Sequence, residues 1–406
     1  MTVPDTTPTT YYRKGFGLKA EVEDTLAADY TGRLVDLLRS RDYTLEAGGV
    51  TVRLAREFGF CYGVERAVEY AYQTRTKFPD RRIFLAGEII HNPHVNAKLR
   101  EMGIEFLSAG DGGFDFSRVE PADVVILPAF GVTIRDFQTL RERGVIVVDT
   151  TCGSVLNVWK RVDNYARDGY TALIHGKYYH EETQATASQV LKYPGGHYLV
   201  VRHMDEARVV CDYIEGRGDR ATFLRQFANA VSPSFDPDRD LIRIGVANQT
   251  TMLARESLAI AEQVGLAMAR AHGEDHRASH FRTFDTICSA TQDRQDAVEA
   301  LLAEPLDVMI VVGGYNSSNT ISLATICAAR VRTYHIEDAS CIDPDRWTIR
   351  HLPIGAHDEE ETPHWIPSDG PVRVGITAGA STPNNKIGEA VARIFATRGV
   401  PPSTIA

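Results

Sequence analysis

Residues 145–162 read VIVVDTTCGSVLNVWKRV, and this stretch predicts a strand, a loop that carries Cys152, and a helix. The helix is indicated by apolar residues at Val155, Val158, Trp159 and Val162, which follow the i, i+3, i+4, i+7 spacing of one helix face. The apolar lead before the cysteine is typical of a strand. Units of this kind, repeated along a chain, predict an α/β protein with parallel sheets.

The same unit occurs twice more. It surrounds Cys61 in REFGFCYGVERAVEYAY (56–72) and Cys288 in FRTFDTICSATQDRQDAVEALL (281–302). After Cys61 the apolar stripe has the same register relative to the cysteine as it has after Cys152. After Cys288 the match is weaker, because the first helical turn is polar and the apolar stripe begins at Ala297.

Two further sets of strand–loop–helix units support a threefold repeat. The second set is RIFLAGEIIHNPHV, TALIHGKYYHEET and VMIVVGGYNSSNT, and the third is VVILPAFGVT, IRIGVANQTT and VRVGITAGAST. The separation between the cysteine and a polar residue of the second loop is nearly constant, at 30, 28 and 29 residues for Cys61–His91, Cys152–His180 and Cys288–Ser317. Any α/β protein alternates strands and helices, but equal offsets with a cysteine in the same position favour a repeat.

We therefore predict three related α/β modules with parallel sheets, in a pseudo-threefold arrangement around a common axis. Ligands of such sheets bind beyond the carboxyl ends of the strands, where all of these loops lie. The predicted parts are an N-terminal extension (1–48), modules at 49–151, 152–285 and 286–390, and a C-terminal tail (391–406). The segments 110–123, 229–240 and 354–371 are rich in Gly, Pro and acidic residues and predict surface loops.

Composition argues against several classes of protein. The 406 residues carry 44 basic and 54 acidic side chains, a net charge of −10, which disfavours a nucleic-acid-binding protein. The longest apolar runs are far shorter than a membrane helix needs, so we expect no membrane insertion. The amino-terminal sequence lacks the apolar core of an export signal, which predicts a cytoplasmic, reducing location. Six cysteines without a CxxC pair resemble neither a disulfide scaffold nor a zinc ribbon.

The three loop cysteines suggest a metal centre. A thiolate at a helix N-terminus is favoured by the helix dipole, and soft thiolates bind iron–sulfur clusters. A cluster of four irons held by Cys61, Cys152 and Cys288 has one iron without a protein ligand, and an open position of this kind is typical of catalytic metals. For any one of these cysteines, a small buried thiol is the simpler interpretation, and it is the one that we expect for Cys211, Cys327 and Cys341. Structural zinc is the alternative for the three together.

The second and third loops supply hydrogen-bond donors for an anion. The candidates lie at or near the starts of predicted helices, where backbone N–H groups favour phosphate or carboxylate: His91, His180, Thr250, Ser317, Ser318, Asn319 and Ser381. Helix capping is the alternative for each serine, threonine or asparagine, but it does not call for the histidines. Glu182 is a candidate for proton relay, and its alternative is a surface carboxylate in a first helical turn.

The signatures GFCYGVERA, GEIIHNPHV, DTTCGSV, HEETQATAS, NQTTM, TICSATQDRQ, VGGYNSSNT and TAGAST resemble those of the 4-hydroxy-3-methylbut-2-enyl diphosphate reductase family, in the family's order. YYRKGFG and HGKYYHEET are similar to its plant and cyanobacterial branch. This family catalyses the last step of the non-mevalonate isoprenoid pathway. The resemblance implies a central [4Fe–4S] cluster on the three loop cysteines. It also implies reduction of the substrate's allylic alcohol to isopentenyl and dimethylallyl diphosphate, with ferredoxin or flavodoxin as the electron donor.

The resemblance also assigns roles to residues. The diphosphate is expected on His91, His180, Ser317, Ser318, Asn319 and Ser381. Glu182, Thr250 and His180 are expected to be catalytic, with Thr250 and Glu182 orienting the hydroxyl and supplying protons. Many bacterial members have a histidine where PAFGVT places Phe130, which cannot donate a hydrogen bond, and Lys177 is a candidate replacement. The competing hypotheses are an iron–sulfur redox sensor without turnover and a zinc-dependent hydrolase of diphosphates.

Overall fold

The computed structural model of the protein describes residues 10–110 and 113–405, so residues 1–9 of the predicted N-terminal extension lie outside the described residues. The strands are β1 (Tyr11–Tyr12), β2 (Thr44–Ala47), β3 (Val50–Leu54), β4 (Ile83–Ala86), β5 (Ile104–Leu107), β6 (Ala109–Gly110), β7 (Gly113–Phe114), β8 (Val124–Leu127), β9 (Ile146–Asp149), β10 (Thr171–His175), β11 (Tyr198–Val201), β12 (Ile244–Asn248), β13 (Phe281–Thr283), β14 (Val308–Val312), β15 (Thr333–Ile336), β16 (Ile342–Asp343), β17 (Thr348–His351), β18 (Glu360–Pro363) and β19 (Val372–Ala378).

The helices alternate with these strands over most of the chain. They are α1 (Lys19–Tyr30), α2 (Arg33–Ser40), α3 (Tyr62–Lys77), α4 (Pro93–Glu101), α5 (Ile134–Glu142), α6 (Gly153–Arg167), α7 (Glu181–Ser188), α8 (Met204–Ile214), α9 (Arg220–Gln226), α10 (Pro237–Asp240), α11 (Ala254–His272), α12 (Glu274–His280), α13 (Ser289–Leu301), α14 (Ser318–Ala328), α15 (Asn384–Ala396) and α16 (Pro402–Ile405). Within the described ranges, no helix is both long enough and apolar enough to span a bilayer.

Three sheets are built mainly of parallel strands, which confirms the predicted α/β class. Their strand orders are β1-β9-β8-β4-β5, β11-β10-β12-β13 and β15-β14-β19-β3-β2. The pair β2–β3 is antiparallel, and all other pairs in these sheets are parallel. The central strands β4, β8, β10, β12 and β14 are buried along their whole length, as parallel strands covered on both faces must be.

Four strands follow the same order in each sheet: β5-β4-β8-β9, β11-β10-β12-β13 and β15-β14-β19-β3. The strand that leads to a cysteine is the last of the four each time. By the predicted bounds, β9 and β13 end the modules 49–151 and 152–285, whereas β3 begins the first module. In the structure, β9 pairs with the strand that precedes it in the chain, and β3 pairs with β19 from near the carboxyl end. Among these three groups of four strands, β3 is the one that pairs outside its predicted module, because its partner β19 lies within 286–390.

The chain forms two compact units. The first consists of Thr74–Ile89, Leu99–Cys288 and the described residues up to Phe16, and it contains the first two sheets. The second consists of Gly17–Gln73, Ile90–Lys98 and the described residues from Ser289, and it contains the third sheet and the antiparallel sheet β16-β17-β18. Each unit has its own buried apolar clusters, so each packs around its own core.

Two predicted surface segments contain more structure than their composition suggests. The segment 354–371 includes β18, and Trp365 within it is 1% exposed. Segment 229–240 ends in the short helix α10. Helix α15 runs through residue 391, the predicted start of the C-terminal tail, and Ile394 and Phe395 are buried in the core of the second unit. Apolar residues within these segments explain why they fold back on the core.

Candidate active site

Cys152 and Cys288 lie in the first unit. Each follows the strand of its sheet that comes last along the chain. Cys152 follows β9 and is the N-cap of α6, with an extended backbone. Cys288 follows β13 and directly precedes α13. Both are half-buried. Both cysteines therefore stand at the first turn of a helix.

Cys61 lies in the second unit, between β3 and α3, and is also half-buried. The turn before Cys61 is held by Arg294, a buried residue of α13. Its side chain donates to the carbonyl of Gly59 from Nη2 (2.6 Å) and Nε (3.2 Å). Gly59 has a φ of +67°, a conformation that disfavours other residues. Arg294 therefore fixes the backbone two residues before the cysteine.

All three cysteine loops are anchored in the same way. The backbone N–H of each cysteine donates to a carbonyl in the third loop of the adjacent strand, in the pairs Cys61–Ala380 (3.3 Å), Cys152–Ala129 (2.9 Å) and Cys288–Thr250 (3.3 Å). The other cysteines differ. Cys211, Cys327 and Cys341 are buried, and burial raises the pKa of Cys211 to about 11 and of Cys327 to about 12. The expectation that these are small buried thiols is confirmed.

A chain of contacts links the predicted catalytic residues of the first unit. The carboxylate of Glu182 is buried, and its Oε1 accepts a hydrogen bond from the backbone N–H of Thr250 (2.6 Å). The carbonyl of Thr250 is in turn the acceptor for the Cys288 N–H. His180 lies two residues before Glu182 and caps α7, since its Nδ1 accepts from the backbone N–H of Glu182 (3.1 Å). Glu182 is therefore buried and fixed, which rules out the alternative of a surface carboxylate.

The predicted anion ligands of the second unit form a second group. Ser317 is the N-cap of α14. The hydroxyl of Ser381 donates to the carbonyl of His91 (3.1 Å) and lies 3.5 Å from the hydroxyl of Ser317. His91 is buried, and its Nδ1 lies 3.2 Å from Nδ2 of Asn316. Three predicted residues from distant parts of the chain therefore meet at the carboxyl end of the third sheet.

Ser318 and Asn319 complete this group. Both are buried in the first turn of α14. Asn319 Oδ1 accepts from the backbone N–H of Ala380 (2.9 Å), the residue whose carbonyl holds Cys61. Its Nδ2 is buried and has no hydrogen-bond partner among the described residues. A buried donor left unpaired costs stability, so this position suits a ligand that accepts a hydrogen bond.

The two histidines each make a hydrogen bond through Nδ1. An amide nitrogen can only donate, so Nδ1 of His91 accepts from Asn316 and Nδ1 of His180 accepts from the backbone. In each neutral ring the proton is then on Nε2. In this tautomer Nε2–H is the ring group that can donate to an anion.

The neighbours of His180 include the residue that departs from the bacterial pattern. The ring of Phe130 meets the His180 ring edge to face, with centroids 5.6 Å apart, so it supports the imidazole without donating to a ligand. Lys177 precedes His180 in the loop after β10, and burial lowers its pKa. Within residues 10–110 and 113–405, its ammonium makes no ion pair, and no charged neighbour contributes to the shift.

Sequence reasoning missed three residues that organise these groups. They are Asn316 beside His91, Arg294 behind Cys61, and Gln249, whose Oε1 accepts from the backbone N–H of Lys177 (3.1 Å) and from the hydroxyl of Thr183 (3.1 Å). Asn316 and Gln249 each adjoin a predicted site residue, which was the available signal. Arg294 lies at a buried position of a helix that appeared polar, so no signal in the sequence indicated its role.

The chain is similar to curated proteins over nearly its full length. It is 49% identical over 391 residues to the 4-hydroxy-3-methylbut-2-enyl diphosphate reductase of Thermosynechococcus vestitus, covering 96% of this chain and 95% of the relative. The enzyme of the same name from Gloeobacter violaceus is 49% identical over 395 residues, covering 96% of this chain and 93% of the relative.

Solved structures and the family's sequence profile agree with these relatives. The structure of (E)-4-hydroxy-3-methyl-but-2-enyl diphosphate reductase, described as the terminal enzyme of the non-mevalonate pathway, matches with a TM-score of 0.51 and 28% identity, covering 84% of this chain and 98% of that chain. A reductase from Plasmodium falciparum has the same fold, with a TM-score of 0.62 at 21% identity over 87% of this chain and 90% of that chain. The profile of the LytB protein family matches residues 52–395. The chain belongs to the LytB protein family.

Proposed function

We propose that this protein reduces 4-hydroxy-3-methylbut-2-enyl diphosphate to isopentenyl diphosphate and dimethylallyl diphosphate, the terminal step of the non-mevalonate pathway. The C–O bond of the allylic alcohol breaks, two electrons and two protons enter, and one water leaves. The relatives carry this activity in their names, and the identity extends over 96% of the chain. The roles of individual residues are assigned from the two groups of side chains at the site.

The cofactor that we propose is one [4Fe–4S] cluster with Cys61, Cys152 and Cys288 as ligands. The fit rests on the chemistry of the donors: these three thiols are half-buried at helix starts, whereas the other three are buried. When bound, the cluster supplies electrons one at a time at an iron that the protein leaves open to substrate. A one-electron carrier such as ferredoxin or flavodoxin suits this delivery.

The diphosphate is assigned to the donors of the second and third loops. The observation that carries this assignment is that His91 and His180 each have Nδ1 occupied as an acceptor and therefore present Nε2–H. Asn319 adds a buried amide nitrogen that lacks a partner among the described residues. Ser317, Ser318 and Ser381 contribute hydroxyl groups, and the first turn of α14 contributes backbone N–H groups.

Protons are assigned to Glu182, with His180 and Thr250 beside it. Glu182 is 2% exposed, so its carboxyl group is shielded from bulk solvent, and it can act as a positioned proton donor to a bound substrate. The Thr250 backbone fixes one carboxyl oxygen, which orients the other. The Thr250 side chain is placed to orient the substrate hydroxyl. A cytoplasmic location suits six cysteines that form no disulfide among the described residues.

The experiment is anaerobic purification of the full-length protein, followed by incubation with 4-hydroxy-3-methylbut-2-enyl diphosphate and a one-electron reductant. Both isopentenyl products are expected, in a preparation that contains iron and sulfide. Hydrolysis of the diphosphate by a zinc-containing protein would establish the competing hydrolase. A cluster that forms without any product would instead favour the redox sensor.

A further inference from the structure

Tyr315, in the loop after β14, contacts the segment that leads into β18 of the antiparallel sheet. Its hydroxyl donates to Oε1 of Glu359 (2.7 Å). Its ring meets the ring of His335 edge to face, with centroids 5.0 Å apart. His335 is buried and in turn contacts the carbonyl of Gly313 through Nε2 (2.9 Å). Both ends of the Tyr315 side chain are therefore held.

The acceptor of this hydrogen bond is itself fixed. Arg350 on β17 donates to Oε2 of Glu359 (2.7 Å), so each carboxylate oxygen has its own donor. Burial, and next the bond to Glu359, raises the pKa of Tyr315, so the phenol stays protonated and remains a donor at neutral pH. We name Tyr315, Arg350 and Glu359 the Tyr315 clamp.

The clamp acts on a turn that carries the anion ligands. The backbone N–H of Ser317 donates to the carbonyl of Gly314 (3.0 Å), which places Tyr315 and Asn316 at the two central positions of a β-turn. Asn316 donates to Nδ1 of His91, and Ser317 caps α14. A Cβ atom at Gly314 would lie 2.7 Å from the carbonyl oxygen of His91, so the turn packs closely on this residue.

We propose that the Tyr315 clamp positions this turn for anion binding. Tyr315 fixes one side of the turn, so that Asn316 on the other side keeps His91 in its Nε2–H form and Ser317 starts α14 at the ligand. The inference rests on the proposed function, because that function assigns a diphosphate to the loop. The residues of this loop are assigned to the diphosphate and not to the alcohol. Loss of the clamp is therefore expected to weaken substrate binding in the ground state and the transition state alike.

The test uses the full-length holoprotein and inorganic pyrophosphate as the probe, by titration calorimetry, alongside steady-state kinetics. Tyr315→Phe and Glu359→Ala are expected to raise the pyrophosphate Kd and the substrate KM about five- to tenfold, with kcat changed less than about twofold. Glu359→Gln retains an acceptor for the phenol and is expected to restore most of the affinity. The matched control is Glu361→Ala, which removes the ion pair with Arg346 (3.5 Å) from β18, the strand that begins directly after Glu359.

If Tyr315→Phe and Glu359→Ala both bind pyrophosphate as tightly as the wild type, the proposed role of the clamp is wrong. An equal loss of affinity in Glu361→Ala would also overturn it, because general loosening of the sheet would then explain the effect. If Glu359→Ala does not fold, the contrast between Tyr315→Phe and Glu359→Gln decides. Weakened pyrophosphate binding in a protein that reduces no substrate would support the clamp while the proposed function fails, so the two claims separate.

Discussion

At the scale of single residues, His180 has a capping role that was not expected of a histidine. Capping was expected to involve Ser, Thr, Asp or Asn, so a histidine at a helix start indicated a ligand contact. In the structure His180 does cap its helix, and His203 caps α8 in the same way. The cap occupies Nδ1 and leaves the proton on Nε2, so capping itself prepares the ring to donate to an anion.

Glu182 gives the first prediction at this scale. In Glu182→Gln the amide oxygen still accepts the Thr250 N–H, but the side chain cannot carry a proton. We expect kcat to fall at least about 100-fold, with iron content unchanged and KM within about threefold of wild type. Glu142→Gln is the control, since Glu142 is an exposed carboxylate at the end of α5 and is assigned no role in the reaction. Retention of the wild-type kcat in Glu182→Gln would remove this residue from the proton path.

Lys177 gives a second prediction. It offers a half-buried cation without an ion pair among the described residues, in the loop where Phe130 cannot donate to a phosphate oxygen. Lys177→Ala is therefore expected to raise the substrate KM about tenfold or more, with a smaller effect on kcat. Lys192→Ala, which removes an exposed lysine paired with Asp163 (3.1 Å), is the control. An unchanged KM in Lys177→Ala would show that this cation does not compensate for Phe130.

At the scale of elements, the helices that follow the three cysteines (α3, α6 and α13) bury one face at equivalent positions after the cysteine. The sequence indicated this pattern only for α3 and α6. After Cys61 and Cys152 the stripe is apolar and was predicted. After Cys288 the corresponding positions of α13 are also buried but hold Thr291, Arg294 and Gln295. Apolar periodicity cannot detect a buried polar residue that is satisfied by a distant partner. Here that partner is the carbonyl of Gly59, more than 200 positions away in the chain.

The strand β1 gives a prediction at this scale. It extends the first sheet beside β9, and the Tyr11 hydroxyl donates to Oδ2 of Asp149 (2.5 Å), the carboxylate that also accepts from the backbone N–H of Thr151 (2.9 Å). Tyr11→Phe leaves one oxygen of a buried carboxylate without this donor, which is expected to cost about 1–2 kcal/mol of unfolding free energy.

The measurement is the midpoint of thermal unfolding, with Tyr12→Phe as the matched control. The Tyr12 ring packs on Phe16, with centroids 4.9 Å apart, and that packing survives the substitution. We expect the midpoint to fall by a few degrees in Tyr11→Phe and to stay unchanged in Tyr12→Phe. Equal midpoints in the two variants would mean that the Tyr11–Asp149 bond contributes nothing to stability.

At the scale of the whole molecule, the sequence predicted the class of fold and the local repeat but not the pairing of β3 with β19. A strand–loop–helix pattern determines the order of the elements along the chain. It does not determine which strands are neighbours in a sheet, because β3 is separated from its partner β19 by most of the sequence. The candidate ligands lie at the carboxyl ends of parallel strands, as predicted, since that position depends on strand direction alone.

Two buried histidines predict how stability depends on pH. Burial lowers the pKa of His175 in the first unit and of His335 in the second from 6.5 to about 4. Between these values the unfolded chain takes up protons that the folded protein does not bind. The contribution of these histidines to the free energy of unfolding is therefore fully present above about pH 6.5. It falls toward pH 4, by up to about 3 kcal/mol per histidine. Urea unfolding at pH 7.5 and pH 5.0 measures this, and equal midpoints at the two values would contradict it.

The central claim is that three cysteines hold a four-iron cluster and leave one iron open to the substrate. The most direct measurement is the Mössbauer spectrum of the iron-57-enriched, anaerobically purified protein, recorded with and without 4-hydroxy-3-methylbut-2-enyl diphosphate. We predict that one quarter of the iron absorption changes when the substrate is added, while three quarters remain as before. A spectrum that the substrate leaves unchanged, or a protein that binds zinc in place of iron, would contradict the account.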